Sequence, residues 1–195
     1  MLFLNHYCSY HKSTFIAILV CILLHSKTGA QSGSALRLNL EDLYSTHGNH
    51  FRGASASYLR CFGNKWELGA GIEYTYARYH NDNGWNLYHL GFVPVYLSEY
   101  FYIGFFGRWR PYVHLQEGIS FARYDKEFQD RPGIRYHVRE RGFYGYGGAG
   151  VYYKACRRSG LFLEPGMKAF HLSFNNLDVN PHGFALKLGY VYRLK

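Results

Sequence analysis

The stretch FALKLGYVYRL, Phe184 to Leu194, decides the fold. Phe184, Leu186, Leu188, Tyr190, Tyr192 and Leu194 fall on one face of an extended chain, and Ala185, Lys187, Gly189, Val191 and Arg193 on the other. Successive side chains of a strand point to opposite sides of the sheet, so a period of two is a strand. WELGAGIEYTY, Trp66 to Tyr76, repeats the pattern, with Trp66, Leu68, Ala70, Ile72, Tyr74 and Tyr76 set against Glu67, Gly69, Gly71, Glu73 and Thr75.

Working outward from these two, eight segments alternate in this way: 35–44, 53–62, 65–79, 85–98, 110–124, 142–154, 159–174 and 183–194. An even number of strands suits a closed antiparallel sheet that leaves no backbone edge unpaired in lipid. The expected fold is therefore all-β, a closed antiparallel eight-stranded transmembrane β-barrel. A soluble lipocalin-like barrel also alternates, but its water-exposed face would be dense in Lys, Glu, Ser and Thr. Here the second face is largely Gly and Ala with single charges of both signs, which fits a narrow, packed interior.

At the start of the chain, TFIAILVCILL (Thr14 to Leu24) follows Lys12 and precedes the small residues Thr28, Gly29 and Ala30. An apolar run this short, with a basic residue before it and small residues after it, reads as a secretory signal peptide cleaved after Ala30. A membrane-spanning helix needs ~20 apolar residues. Cys21 lies within the apolar run after Leu19 and Val20, so it does not read as a lipid-attachment cysteine. Residues 31–195 then form a single barrel domain. The two cysteines there, Cys61 and Cys156, make no metal or redox motif. They fall near one end of strands two and six, on opposite walls, and are expected to be free thiols.

Aromatic residues make up 19% of the chain and include 20 Tyr, while charged residues are 18%. Tyr and Trp at this density suit the interfacial girdles of a membrane barrel. The formal charge of +9 comes from Lys and Arg scattered through the chain rather than clustered, which argues against nucleic acid. Anionic lipid is the more natural acidic neighbour. The breaks between strands alternate: 63–64 and the turn around Arg157 are short, whereas 45–52, 80–84, 125–141 and 175–182 are long and polar. Glu99 to Trp109 (EYFYIGFFGRW) departs from this and reads as interfacial belt plus strand extensions.

LGAGIEYTYARY, FVPVYL with Pro94 inside a strand, RPYVHLQEGISF, GGAGVYYK and the final ALKLGYVYRL together resemble the small outer-membrane β-barrel proteins of Gram-negative bacteria. The resemblance covers the whole chain after the signal and is one of pattern. It implies an outer-membrane location, outer-membrane lipid and lipopolysaccharide as neighbours, and insertion by the barrel-assembly machinery. It implies no cofactor. One departure is the ending Arg193-Leu194-Lys195, where such chains commonly finish on an aromatic residue.

Four groups of residues carry candidate chemistry. Arg37, Glu41, Glu67, Glu73, Glu164, Lys168, Lys187 and Arg193 lie on the inferred interior face, where four carboxylates and four cations are expected to pair and fill the lumen. His171 and Ser173 resemble the His-x-Ser pattern of outer-membrane lipid A deacylases, which would make His171 the base and Ser173 the nucleophile. Phe174 stands where that pattern has Asn, and the last strand offers no carboxylate to orient the imidazole. His47 and His50 in HGNH are too few for a metal site. Lys126, Arg131, Arg135, Arg139 and Arg141 in the 125–141 break are placed to meet lipopolysaccharide phosphate. Glu117 falls on an otherwise apolar face, through a register shift or to meet a partner. The function expected is a structural, adhesive or ligand-binding barrel acting through its extracellular loops. A lipid A deacylase-like acyl hydrolase and a narrow small-solute channel are the alternatives.

Overall fold

A computed structural model of the chain describes residues 33–46, 48–82, 84–171 and 181–194. They form eight strands, β1 (Ser34–Ser45), β2 (His50–Phe62), β3 (Trp66–Asp82), β4 (Trp85–Tyr102), β5 (Trp109–Phe128), β6 (Arg135–Lys154), β7 (Ser159–His171) and β8 (Gly183–Leu194). Each pairs antiparallel with its neighbours in sequence, and β8 returns to β1, closing the barrel.

The burial pattern is the inverse of a soluble barrel's. On β1, Leu36, Leu38 and Leu40 are 37%, 45% and 69% exposed, while Arg37 and Glu41 on the alternate face are 1% and 5% exposed. Ile72, Leu115, Ile119, Leu161, Leu163, Met167, Leu186 and Leu188 continue this apolar outer wall around the barrel. An apolar belt on a closed barrel whose charges point inward is stable only with hydrocarbon around it. Aromatic rings edge the belt at both ends. Trp66 packs on Phe101 and Trp109 on Tyr153 at the end where β1 starts; Tyr74, Phe121 and Phe143 are exposed at the other, and Tyr79 packs on Tyr88 farther out.

Two departures from the sequence reading have physical causes. The 125–141 break is mostly strand: β5 continues to Phe128 and β6 begins at Arg135, leaving only 129–134 as a turn. The hairpin thus stands about 15–20 Å beyond Phe121, taking ~3.3 Å per residue on a tilted strand. Second, tyrosine is not confined to girdles. Tyr100, Tyr102, Tyr112, Tyr124, Tyr144 and Tyr152 are buried inside the barrel, where a ring fills space and its hydroxyl serves the interior charges. Glycine on the facing strands makes the room: a Cβ on Gly189 would lie 2.4 Å from the Phe162 ring.

Candidate functional site

The lumen is filled in layers. Nearest the end where β1 starts, Glu67 of β3 accepts from Arg193 at 2.7 Å and from Arg37 at 3.2 Å. Arg37 also donates to the Tyr102 hydroxyl at 2.6 Å and lies 3.7 Å over the Tyr100 ring. Stacking of this kind compensates a guanidinium whose other nitrogens have no hydrogen-bond partner. Cys61 is a buried free thiol 3.4 Å from Arg193.

Above that layer, Tyr112 donates to Glu164 at 2.6 Å, and His114 Nδ1 sits 2.6 Å from the other carboxylate oxygen. His114 Nε2 is 2.9 Å from Ser98 Oγ. Ser98, His114 and Glu164 thus reproduce the connectivity of a hydrolytic triad. Sequence reasoning missed it, because the three residues come from β4, β5 and β7 with no spacing that announces them. Ser98 and Glu164 have zero exposure and His114 is covered by the stacked Tyr100 ring. No acyl group reaches the hydroxyl, so the chemistry left to this relay is orientation of buried polar groups.

The middle layer joins both ends of the chain. Lys168 of β7 binds Glu41 of β1 and Glu73 of β3, the latter at 2.6 Å. Lys187 of β8 lies 3.5 Å from Glu41, donates to Gln116 at 2.8 Å and rests over the Tyr146 ring. Thr75 donates to Glu73 at 2.5 Å, and Tyr144 donates to Gln116 at 2.8 Å. A cap of Leu43, Phe51, Leu87, Leu90, Phe92, Tyr124 and Phe170 closes the lumen above.

The structure therefore brings together all eight interior residues named from the sequence, in two groups. Glu67, Arg37 and Arg193 form one; Glu41, Glu73, Lys168 and Lys187 form the other, with Glu164 on His114 between them. Among the described residues the remaining candidates form no further common site. His171 ends β7 on the lipid side opposite Phe143, and Ser173 lies outside the described residues, as does His47. His50 binds Asp42 at 2.9 Å. Among the loop cations, Lys126 lies over Trp85, and Arg135 binds Glu127 at 2.9 Å and lies over Tyr88. Arg131 is exposed on the turn, while Arg139 and Arg141 stand on the outer wall of β6. The Arg135 guanidinium and the Gly133 amide hold the Glu127 carboxyl below the usual carboxylate range. Glu117 faces lipid with the register intact on both sides, beside Leu97 and Gly145, so the shift considered for it does not occur.

No family model and no curated protein sequence matches this chain. Solved structures do. A major outer membrane protein from Thermus thermophilus is 8% identical, with 84% of this chain and 100% of that one covered at a TM-score of 0.58. Neisserial surface protein A is 11% identical, with 84% and 96% covered at 0.52. The N-terminal β-barrel domain of Pseudomonas aeruginosa OprF is 15% identical, with 84% and 100% covered at 0.50. The fold is that of the eight-stranded outer-membrane barrels. The likeness is one of architecture, and it matches the inside-out distribution of charge described above.

Proposed function

We propose that the protein is exported on residues 1–30, inserted into the outer membrane by the barrel-assembly machinery, and held there as a sealed barrel. Its role is structural, adhesive or ligand-binding, exercised at the far end through the turns and the tall β5–β6 hairpin, with lipopolysaccharide as the surrounding lipid. The short turns 63–65 and 155–158 then face the periplasm. The observation that carries this reading is the lumen: ion-paired layers below and an aromatic cap above leave it filled, as expected for eight strands.

Conduction and hydrolysis are the weaker uses of this architecture. A channel needs a water column where Lys168, Glu41 and Glu73 meet, and a hydrolase needs a nucleophile that lipid can reach. Planar-bilayer recording on the refolded protein tests the reading. No stable single-channel steps above the bilayer baseline are expected. A large, stable wild-type conductance refutes it.

A further inference from the structure

The outer wall just beyond the apolar belt on β3 to β6 gathers positive charge that the described residues do not neutralise. Arg123 of β5 and Arg139 of β6 are direct cross-strand partners, both exposed on the outer face. Like charges set opposite one another on a sheet repel. Neither forms an ion pair among the described residues: Glu140 is on the opposite, inner face of β6, and the carboxylates that follow Arg123 on the same face of β5 are engaged. Asp125 is held by His137 at 2.8 Å and His89 at 3.4 Å, and Glu127 by Arg135. Arg141, the partner of Phe121, stands on the same face one step nearer the belt.

The backbone beneath is shaped to form a depression here. The β4–β5 register slips between Tyr88 and Gly91, and His89 within the slip has a φ of 55°. That left-handed conformation is rare for a residue with a side chain and marks a position held by its surroundings. Gly91 leaves the strand bare, so Arg123 lies across it. A Cβ at Gly91 would meet the Arg123 Nε and the Tyr74 hydroxyl, each at 3.5 Å. Tyr74, Tyr76, His89, Arg123, Asp125 and His137 line the resulting depression of about 230 Å3.

We propose that this depression binds the phosphate of an outer-leaflet glycolipid headgroup, held by Arg123 from within it and by Arg139, the cross-strand partner of Arg123, from beside it, with the Tyr74 hydroxyl as a further donor. The inference rests on the membrane placement proposed above and gives the far end a ligand class and an address. Guanidinium groups match phosphate with paired N–H donors. An anion between Arg123 and Arg139 also removes their repulsion. Height selects a lipid over a soluble anion, because Arg123 is two residues beyond Phe121, which with Tyr74 and Phe143 marks the upper edge of the belt. Asp125 is the carboxylate in the depression, and both of its oxygens are occupied by the flanking imidazoles. The site is thus on the wall, below the turn where Arg131 projects.

Native mass spectrometry of the detergent-solubilised barrel, given equal amounts of bis-phosphorylated lipid A and the same lipid A stripped of phosphate, tests this. Wild type is expected to retain the phosphorylated form at least tenfold over the stripped one. Arg123→Gln/Arg139→Gln should lose that preference, and Arg123→Lys, which keeps the charge but not the fork, should lose part of it. Arg157→Gln, at the opposite end, should leave it intact. The β-sheet circular dichroism of each variant reports folding, and the single lysine variant serves if the double variant does not fold. Equal retention of both lipids by wild type, or an unchanged preference in the folded double or lysine variant, overturns the proposal. Tight binding of inorganic phosphate by wild type without a lipid preference overturns the lipid source. Conductance is read separately, so failure here leaves the sealed lumen standing, and an open lumen leaves this site standing.

Discussion

Lys168→Met removes the cation that bridges Glu41 and Glu73 in the middle of the lumen. All three side chains are fully buried, and breaking a buried pair by deleting one partner costs about 3–5 kcal/mol, since the opposite charge stays behind without compensation. Two carboxylates are stranded here rather than one. Glu41 keeps Lys187 at 3.5 Å, however, and Glu73 keeps Thr75 at 2.5 Å. The expected loss therefore stays near that range, about 3–5 kcal/mol, rather than doubling. Lys168→Met/Glu73→Gln removes one stranded carboxylate together with the cation, leaves Glu41 paired with Lys187, and should recover most of the loss. Urea unfolding from phospholipid vesicles measures both variants, with fluorescence from Trp66 and Trp109 on the outer wall as the signal. A loss below about 1 kcal/mol for Lys168→Met, the value of a solvated surface pair, would refute the buried-network account. So would a Lys168→Met/Glu73→Gln variant no more stable than the single one.

Glu117→Leu replaces an ionisable group on the lipid-facing wall and should stabilise the barrel by about 1–2 kcal/mol in the same assay; a loss instead would mean that Glu117 has a partner in the membrane. At the hairpin tip, Glu127 has a folded-state value held below the ordinary range by Arg135. Its contribution is thus fully present above the ordinary carboxylate value and disappears as pH falls through the depressed folded one. Amide exchange at Gly133, which donates to Glu127 at 3.2 Å, should accelerate across that acidic window, and Glu127→Gln should flatten the response.

Where the wall meets lipid, one side chain in two must be apolar, and that constraint is legible in residues such as Leu36, Leu38 and Leu40 around Arg37. It made the strand count and the inward charges readable without coordinates. Above the bilayer the constraint vanishes. RYHVRE, Arg135 to Glu140, carries polar groups on both faces, so β6 reads as loop although its backbone pairs with β5 along its length. Tertiary coincidence hid the rest. Ser98, His114 and Glu164 meet only because three strands align their inner faces, and the wall site depends on a register slip that places His89 and Gly91 against Arg123.

The middle layer ties the first strand to the last two. Glu41 stands directly opposite Lys187 across the β1–β8 seam and reaches Lys168 one strand further on, while Arg37 on β1 answers Glu67 on β3. Until that seam zips, a half-wound sheet would carry Glu41, Lys168 and Lys187 at an open margin with their counter-ions apart. Hydrocarbon penalises such a species severely. The order of biogenesis follows: the sheet is held at a sheltered or aqueous margin until the last strand meets the first, and entry into the bilayer and pairing of the charges become one event.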